Sequence, residues 1–410
     1  MLKRTKIVAT ISDKRCDVDF IRGLYSAGMN VARLNTAHMN PETAKAVIAK
    51  IREVSESIAI LVDTKGPEIR TSSLGSEIKV ETGNKVKIIG NPEGVSGGDT
   101  VYVSYACIAK EVPVGNSLLI DDGELELKVL EKNETTLFCE VMNCGMIKLR
   151  KSVNLPNVHI NLPSLTQKDK DFVKFAIDND LDFIAHSFVR SKHDVLEIKE
   201  ILHQHNSQIK IIAKIENQQG VDNIDEILDH AYGIMVARGD LGIEIPAQKI
   251  PIVQRRLVKK CIESKKPVII ATQMLHTMIE HPRPTRAEIS DIANAIYQRA
   301  DAIMLSGETA YGAYPLESVQ AMTSVAREVE EVLESDHTLN LVRINNEITA
   351  TLARSAVRAC SSLPIRAIIV DTLTGRTGRY LSAFRGRIPV YAICYKPNVM
   401  RQLALSYGVE

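Results

Sequence analysis

Residues 210–239 read KIIAKIENQQGVDNIDEILDHAYGIMVARG, where two short apolar runs, Lys210–Asn217 and Gly233–Gly239, enclose a segment of helical periodicity. Short runs that are apolar at almost every position are typical of strands buried on both faces of a parallel sheet. The stretch therefore predicts a strand, a crossover helix and a second strand parallel to the first.

The same unit is repeated on both sides of this stretch. Successive runs start about 23 to 35 residues apart, the length of one strand plus one crossover helix. The eight predicted strands are Lys6–Ile11, Asn30–Asn35, Ala59–Lys65, Asp182–Phe188, Lys210–Asn217, Gly233–Gly239, Pro267–Gln273 and Ala302–Glu308. The interval between the third and fourth strands is far longer, which indicates an insertion.

The inserted segment, residues 67–163, has the two-residue periodicity of half-buried strands, as in Lys85–Ile89 and Glu124–Val129. Turn signals such as Asp121-Asp122-Gly123 separate these patterns. We predict a small β-barrel-like lid domain there. Residues 1–66 and 164–338 remain, close to the roughly 250 residues of a (β/α)8 TIM barrel, which we predict to be the catalytic domain.

Polar residues 335–338 predict a linker to a third domain, residues 339–410. Two strands, Ala367–Thr372 and Pro389–Cys394, alternate there with helical segments, which predicts an α/β unit. Two strands are few for an independent parallel sheet. We therefore expect this C-terminal α/β domain to be partial.

The charge balance excludes several classes of partner. The 410 residues include 51 Lys and Arg against 50 Asp and Glu, a net charge of +1, so no global field attracts nucleic acid or an anionic membrane. No apolar run approaches the roughly 18 residues of a membrane span, and the N-terminus becomes polar too early for a signal peptide. The 7 cysteines include no C-x-x-C pair and indicate neither a disulfide framework nor a zinc site. We expect a cytoplasmic protein.

Polar residues follow the predicted barrel strands in pairs two positions apart. The pairs are Arg33/Asn35, Asp63/Lys65, Lys214/Glu216, Arg238/Asp240 and Ser306/Glu308. In a strand this spacing places both members on one face, and the carboxyl ends of barrel strands form the active-site mouth. Any single pair is more often a solvated loop residue or a structural ion pair. Their repetition at one position of the unit favours a functional site.

Such a site suits a phosphorylated anion together with a divalent metal ion. Carboxylate oxygens bind Mg²⁺, whereas guanidinium and ammonium groups bind phosphate. The residues concerned are Arg33, Lys65, Lys214, Arg238, Asp63, Glu216 and Asp240. Phosphoryl transfer or enolate chemistry follows as the reaction class. The chain has neither a P-loop nor a dinucleotide-binding glycine motif, although residues 239–242 (GDLG) could offer backbone N–H groups to an anion.

These motifs resemble the pyruvate kinase family. The matching segments, in order, are Asn30–Asn35, Asp63–Thr71, Lys214–Asn217, Met235–Gly242, Ala271–Met274, Arg283–Glu288 and Met304–Ala310. The β insertion also stands where the family has its own. The resemblance implies transfer of the phosphoryl group of phosphoenolpyruvate to ADP, giving pyruvate and ATP.

The resemblance also implies roles for individual residues. Lys214 would stabilise the phosphoryl group in transfer, Arg33 would hold the phosphate, and Thr272 would stand near the enolate face that receives the proton. Glu216 and Asp240 would bind Mg²⁺ or Mn²⁺. The substrate-binding residues would be Arg33, Gly239, Asp240, Thr272 and Ser187. Glu308 is expected to be structural.

Further implied sites concern the nucleotide and a monovalent cation. The nucleotide-binding residues would be Asn35, His38, Arg70 and Lys168. K⁺ would be held by oxygens of Asn35, Asp63 and the backbone of Thr64, and Glu68 matches the K⁺-dependent form of its motif. The family has a serine where this chain has Ala37, so we expect K⁺ dependence that survives in weakened form.

The last implication concerns regulation and assembly. A loop carrying Thr372, Thr374 and Thr377 resembles in placement the loop that binds a sugar-phosphate effector in the family, although a plain polar turn fits the same residues. The family implies a homotetramer. Two alternative functions stay open: a folded form that binds substrate without turnover, and a Mg²⁺-dependent lyase acting on phosphoenolpyruvate or pyruvate. The lid-like insertion argues against the lyase.

Overall fold

The computed structural model describes residues 3–333, 341–342 and 344–410. The predicted linker at residues 335–338 lies outside the described residues. The chain divides into two compact units, one made of Met1–Gly66, Leu165–Gly239 and Pro251–Glu410, the other of Pro67–Ser164 and Asp240–Ile250. None of the described helices is both long enough and apolar enough to cross a membrane.

The first unit contains a closed barrel of eight parallel strands, which confirms the predicted fold class. The strands are β1 (Lys6–Thr10), β2 (Val31–Asn35), β3 (Ala59–Asp63), β4 (Phe183–His186), β5 (Lys210–Ile215), β6 (Gly233–Ala237), β7 (Val268–Ala271) and β8 (Ala302–Leu305). Each strand pairs with its neighbours in sequence, and β8 closes the barrel by pairing with β1 through Lys6 and Ala302.

Several strands end earlier than their polar pairs suggested. The strand predicted to reach Gly239 ends at Ala237, and Arg238 begins a helix, Arg238–Glu244. The strand predicted to reach Glu308 ends at Leu305. The two-residue spacing therefore does not place Arg238/Asp240 or Ser306/Glu308 on one face of a strand, because the chain has already entered a helix or a loop at these residues.

Helices cover the outside of the barrel and are started by side-chain caps. Their bounds are Val18–Ala27, Pro41–Val54, Gln167–Asp178, Lys192–Gln204, Gln218–Asp222, Ile224–His230, Ile250–Glu263, Arg286–Tyr297, Gly307–Ala310 and Pro315–Val332, with a 3-10 turn at His276–Ile279. The helix Arg238–Glu244 begins in the first unit and continues into the second, which also contains the 3-10 turn Ala247–Lys249. Thr166 and Asp169 form a capping box, as do Thr285 and Glu288. Such reciprocal caps satisfy N–H groups that have no partner inside the helix.

The barrel interior is filled by apolar side chains from its own strands and by one residue from far along the chain. The buried cluster consists of Val8, Val31, Ala59, Leu61, Phe183, Ala185, Ile212, Met235, Ile269, Ala271, Ala302, Met304 and Leu405. Leu405 follows the last helix of the chain and is completely buried. The C-terminal segment therefore completes the core of the barrel.

The rest of the C-terminal part contains two parallel strands with helices. The strands are Ile368–Thr372 and Val390–Cys394, and the helices are Glu347–Ser362, Arg376–Ala383 and Pro397–Leu403. This part is fastened to the barrel by buried ion pairs, Arg385 with Asp301 and Arg401 with Asp182. Asp301 directly precedes β8 and Asp182 directly precedes β4, so both contacts are made at the amino ends of barrel strands.

The second unit is built mainly of short strands around its own apolar core. Its strands are Leu74–Gly75, Ile78–Val80, Lys85–Gly90, Val95–Ser96, Thr100–Val103, Ser117–Ile120, Leu125–Lys132, Thr136–Val141, Gly145–Ile147 and Val153–Asn154, and its larger part, residues 67–164, also has a short helix, Ile108–Glu111. Fully buried residues such as Ile88, Leu118 and Leu127 alternate with more exposed neighbours. That alternation is the two-residue periodicity seen in the sequence.

Candidate active site

A buried ion pair joins the carboxyl ends of β2 and β3. Arg33 donates from Nε to Asp63 Oδ2 at 2.7 Å, and its Nη1 donates to Thr10 Oγ1 at 2.9 Å. The parallel register pairs Asn35 with Asp63, which brings the ends of the two strands level. Thr10, the last residue of β1, is a site residue that the sequence did not indicate, and it fixes the orientation of the guanidinium group.

Lys214 lies at the centre of the same cluster. Its Nζ is 3.1 Å from Asp63 Oδ1 and 2.9 Å from Glu216 Oε1, and it donates to Ser187 Oγ at 2.7 Å. Ser187 Oγ donates in turn to the carbonyl oxygen of Thr64 at 2.6 Å. Residues from β3, β5 and the loop after β4 thus converge on one ammonium group.

The charges in this cluster control the ionisation of Asp63. Burial by itself would raise the pKa of this carboxyl group, but Lys214 and Arg33 together outweigh burial and hold the pKa below its ordinary value. Asp63 is therefore a permanent anion at neutral pH. It keeps two cations side by side at the barrel mouth, which their mutual repulsion would otherwise oppose.

Glu216 is positioned immediately after β5 and is 1% exposed. Its Oε2 accepts the N–H of Phe188 at 2.6 Å. Phe188 has a φ of 54°, a left-handed conformation that is strained for a bulky residue, so the loop after β4 is bent to make this contact. A carboxylate held in this way is a hard oxygen donor of the kind that Mg²⁺ prefers.

Thr272 also occupies a strained position, with a φ of 69°, and Gln273 follows at 55°. A β-branched residue rarely adopts this conformation. The Thr272 hydroxyl donates to the carbonyl oxygen of Ala271 at 2.6 Å and accepts the N–H of Gly239 at 2.8 Å. The amide of Gly239, predicted to face a substrate carboxylate, bonds to Thr272 in this structure.

Arg238 was grouped in the sequence with the phosphate-binding cations, and the structure gives it another partner set. Its Nη1 is 2.7 Å from Asp291 Oδ2, and its Nη2 donates to the carbonyl oxygen of Thr272 at 2.6 Å. The guanidinium group thus fixes the strained turn after β7. Lys65 is held near this end of the barrel by its backbone N–H, which donates to Asp169 at 2.9 Å.

Glu308 connects two loops next to the site through hydrogen bonds. Its Oε2 accepts the N–H of Ser306 at 2.8 Å and its Oε1 accepts that of Leu275 at 3.1 Å. Glu308 is buried, so both carboxylate oxygens are engaged by backbone groups. These contacts connect the segment after β8 to the segment after β7.

Three of the predicted nucleotide-binding residues belong to the first unit. Asn35 Oδ1 accepts the N–H of Ala37 at 3.1 Å, and Lys168 Nζ reaches the Ala37 carbonyl oxygen at 3.5 Å. Lys168 and His38 are exposed. They form a polar rim beyond β2, and their side chains are available to a ligand.

Two other predicted site residues belong to the second unit. Arg70 is paired with Glu68, with Nη2 to Oε2 at 2.6 Å, and it donates to the carbonyl oxygen of Arg150 at 2.7 Å. Asp240 begins the second part of this unit. Near it in sequence, burial and the charge of Asp240 raise the pKa of Glu244 to about 7, although a hydrogen bond with Asn154 opposes the shift. The sequence did not single out Glu244.

The first unit is thus an eight-stranded parallel barrel whose carboxyl end carries a lysine and an arginine beside buried carboxylates. That combination defines a barrel enzyme that acts on a phosphorylated anion. The chain matches two family profiles, "Pyruvate kinase, barrel domain" over residues 2–319 and "Pyruvate kinase, alpha/beta domain" over residues 350–410. The chain belongs to the pyruvate kinase family.

Individual relatives agree with this assignment. The chain is 50% identical over 409 residues to a pyruvate kinase of Borreliella burgdorferi, covering 99% of this chain and 85% of that protein. It is 45% identical over 418 residues to a pyruvate kinase of Bacillus licheniformis, covering 100% of this chain and 71% of the relative. The crystal structure of a pyruvate kinase from Cryptosporidium parvum is similar with a TM-score of 0.96 at 38% identity, covering 100% of this chain and 86% of that one.

Proposed function

We propose that the chain transfers the phosphoryl group of phosphoenolpyruvate to ADP, giving ATP and the enolate of pyruvate, which then takes up a proton. Family membership supports this reaction over the two alternatives, an inactive binding form and a lyase. The observation that carries the proposal within the site is the contact of Lys214 with both Asp63 and Glu216 at the carboxyl end of the barrel.

Lys214 is the group best placed to act on the phosphoryl group in transfer. Its side chain is 12% exposed, so little water screens its charge. A fixed point charge in such a site stabilises a transition state more than it would in water. Arg33 would hold the phosphate of the substrate, because its guanidinium group is fixed by Asp63 and Thr10 before substrate arrives.

We further propose that the metal requirement of the family is met here by Mg²⁺, or Mn²⁺, bound to the carboxylates of Glu216 and Asp240. The described residues include no cluster of three or more His, Cys, Asp or Glu side chains that could hold a metal ion. Two carboxylates still suit Mg²⁺, which in phosphate-handling sites takes its other ligands from substrate and water. When bound, the ion supplies positive charge to the substrate carboxylate and the enolate oxygen.

Thr272 is proposed to stand at the enolate face that receives the proton. Its hydroxyl is held between the Ala271 carbonyl oxygen and the Gly239 N–H, so its direction is fixed. Gly239, Asp240 and Ser187 would complete the substrate site. Ser187 acts by orienting Lys214, to which it is hydrogen-bonded.

For the nucleotide, we propose Asn35, His38, Lys168 and Arg70. Lysine and arginine side chains are suited to the phosphates of ADP. Lys168 and His38 are exposed and therefore accessible to a ligand, and Arg70 has a carboxylate neighbour, Glu68, that orients its guanidinium group.

K⁺ is proposed to bind at Asn35, Asp63 and the backbone oxygen of Thr64. Oxygen donors of this kind suit the ion, but Arg33 and Lys214 already face the Asp63 carboxylate, and the Thr36 hydroxyl donates to the Asp63 carbonyl oxygen at 2.9 Å. Ala37 supplies no hydroxyl group. K⁺ activation should therefore persist in weakened form.

The proposal also includes a cytoplasmic location, where glycolysis consumes phosphoenolpyruvate, and a homo-oligomer, which is a tetramer in the family. The loop with Thr372, Thr374 and Thr377 is proposed as an effector-binding loop. Thr372 is buried at the end of a strand and Thr374 is exposed, so Thr374 is the more accessible hydroxyl group.

The test of the main proposal is pyruvate formation from phosphoenolpyruvate, ADP and Mg²⁺, in K⁺ buffer and again with tetramethylammonium. We expect turnover in both buffers and a higher rate with K⁺. Substrate binding without pyruvate formation in either buffer would contradict the proposed activity. Equal rates in the two buffers would contradict only the K⁺ site.

A further inference from the structure

A cysteine and a lysine from two different βα connections meet on the outside of the barrel. Cys16 lies in the segment after β1, directly before Asp17, which caps the helix Val18–Ala27. Lys50 lies on the helix Pro41–Val54, which follows β2. Lys50 Nζ donates to Cys16 Sγ at 3.4 Å, although 34 positions separate the two residues. The candidate active site uses neither side chain.

The sulfur atom is the partner of the Lys50 ammonium group. Among the residues that the structure describes, no carboxylate forms an ion pair with Lys50, and Cys16 Sγ is its hydrogen-bond acceptor. The thiol itself donates to the carbonyl oxygen of Asp13 at 3.3 Å. A cation beside a cysteine sulfur is the environment in which reactive cysteines occur. The pair therefore combines an oxidisable sulfur with a nitrogen that can attack it.

The buried cysteines elsewhere in the chain have a different environment. Burial raises the pKa of the Cys139 thiol to about 12, and it also raises the pKa of Cys261. Thiols of this kind stay protonated and inert. In the part of the chain that the structure describes, no second cysteine sulfur accepts a hydrogen bond from a lysine. The arrangement at Cys16 is thus particular to this position.

The pair lies just beneath the protein surface. Cys16 is 7% exposed, Lys50 is half-buried, and the neighbouring residues 13–15 are exposed. Susceptibility of a cysteine to oxidation follows its accessibility. A molecule as small as hydrogen peroxide can reach a sulfur atom at this depth, whereas a bulky disulfide reaches it less readily.

We propose that hydrogen peroxide converts this pair into a sulfenamide, a covalent bond between Cys16 Sγ and Lys50 Nζ. First the sulfur attacks one peroxide oxygen, the O–O bond breaks, and a sulfenic acid and one water molecule form. The Lys50 nitrogen, after losing one proton to solvent, then attacks the sulfur. The S–O bond breaks, and the hydroxyl group leaves as water with a second proton from the nitrogen. The sulfur loses two electrons and one peroxide becomes two water molecules, so no other reactant is needed.

The bond protects Cys16 from irreversible oxidation. A sulfenic acid that remains in contact with peroxide proceeds to sulfinic and sulfonic acids, which ordinary thiols do not reduce. A sulfenamide is opened by a thiol, which restores the cysteine and the lysine. Lys50 therefore makes the oxidation of Cys16 reversible. While it lasts, the bond also joins the segment after β1 to the helix after β2.

The experiment treats the full chain with hydrogen peroxide and maps its tryptic peptides by mass spectrometry, before and after dithiothreitol. The bond blocks cleavage after Lys50, so we expect peptide 16–22 joined to peptide 46–52. Their joint mass should be about 2 Da below the sum of the free peptides, because two hydrogen atoms are lost. Dithiothreitol should separate them. Absence of any joined peptide would overturn the proposal. A joint mass about 14 Da above the sum would mean that an oxygen atom stays between sulfur and nitrogen, and would overturn the direct bond.

Lys50→Met removes the attacking nitrogen and should change the fate of the sulfur. At the same dose of peroxide, Cys16 should reach the sulfinic and sulfonic acids, and dithiothreitol should recover about tenfold less free thiol than in the wild-type chain. The melting temperature before oxidation verifies that the variant is folded. Equal recovery of the thiol in Lys50→Met and in the wild-type chain would overturn the protective role of Lys50.

Lys45→Met is the matched control, since Lys45 is exposed on the same helix. This variant should form the cross-link to the wild-type extent, with peptide 34–52 in place of peptide 46–52 because cleavage after residue 45 is lost. Loss of the joined peptide in Lys45→Met would show that Lys50 is not the nitrogen donor. Cys16→Ser should abolish the joined peptide, and its persistence in that variant would exclude Cys16 as the sulfur.

Discussion

The two ends of the barrel both bury charged groups, but they pair them in different ways. At the carboxyl end, Lys214 contacts two carboxylates and a hydroxyl group through a single ammonium nitrogen. At the amino end, Arg385 binds Asp301 through both of its terminal nitrogens, at 3.0 and 2.7 Å. Backbone N–H groups of Val268 and Tyr407 donate to the same carboxylate.

The arrangement at the carboxyl end suits ligand binding, whereas the arrangement at the amino end suits structural stabilisation. A planar guanidinium group that meets a carboxylate with two bonds is strong and specific in geometry, and it leaves little for a ligand to use. An ammonium group is a compact charge that can exchange partners and approach a phosphoryl oxygen. The amino end therefore contributes stability and the carboxyl end contributes chemistry, as expected for this fold.

The largest effect should come from removing a cation at the amino end. Arg385→Met leaves Asp301 buried without its guanidinium partner, which should lower the free energy of unfolding by about 3–5 kcal/mol. Turnover per folded molecule should stay close to wild type, because the carboxyl end is intact. Urea unfolding and kcat measure the two quantities.

Arg387→Met is the matched control for that variant, since Arg387 is exposed two residues further along the chain. It should change the free energy of unfolding by less than about 0.5 kcal/mol. If fully folded Arg385→Met lost turnover, the assignment of stability to the amino end and of chemistry to the carboxyl end would be wrong.

Removing the cation at the carboxyl end should have the opposite effect, a large loss of turnover and not of folding stability. Lys214→Met should reduce kcat by about 10²- to 10³-fold while KM for phosphoenolpyruvate changes little, because the charge acts mainly in the transition state. Lys210→Met, at the other end of the same strand, should keep kcat near wild type. Steady-state kinetics would show the role to be misassigned if KM rose as much as kcat fell.

The pH dependence of the free energy of unfolding can test a third buried group, His186 at the end of β4. His186 is fully buried, neither ring nitrogen has a hydrogen-bond partner among the described residues, and burial lowers its pKa from 6.5 to about 4. The unfolded chain takes up this proton below about pH 6.5 and the folded chain only below about pH 4, so stability is lost as pH falls through that window. The loss should reach about 3 kcal/mol.

His186→Leu removes the titrating group and should flatten this part of the stability profile. Chemical denaturation of both proteins at pH 7, 5.5 and 4.5 gives the comparison. Parallel profiles for the two proteins would mean that His186 takes up its proton over the same pH range in the folded and the unfolded chain.

The smallest effect concerns the proposed K⁺ site. Ala37→Ser restores an oxygen donor and should lower the K⁺ concentration for half-maximal activity by about fivefold, equivalent to about 1 kcal/mol. Ala49→Ser, on the helix Pro41–Val54, serves as the control and should not shift the K⁺ response. An unchanged K⁺ response in Ala37→Ser would place the ion elsewhere or remove it from the mechanism.

Much of the barrel could be predicted because its strands are continuous apolar runs, which local sequence specifies. The convergence of Arg33, Asp63, Lys214 and Glu216 also followed, since all four stand at or just after strand ends. The predicted ends of β6 and β8 were wrong, because the polar residues there begin a helix or a loop. Tertiary contacts, and not the local sequence, determine where these two strands end. Arg238 illustrates this, since its partner Asp291 lies 53 positions away.

The contacts at the amino end could not be predicted at all. Arg385 and Asp301 are separated by 84 positions, and Arg401 and Asp182 by 219. No periodicity or motif relates such residues. The strain at Thr272 was hidden for a different reason: a positive φ at a β-branched residue contradicts local preference and exists only because surrounding contacts enforce it.

The burial of Leu405 among the barrel strands has a consequence for how the protein is made. Lys6 at the start of β1 donates to the carbonyl oxygen of Val409, 403 positions later, so this strand lacks that partner until Val409 has been synthesised. At about 5–20 residues per second, a ribosome needs about 20 to 80 s to cover that distance. Until Leu405 has been synthesised, the barrel strands expose the apolar surface that this residue covers, and a chaperone that binds such surface can act there.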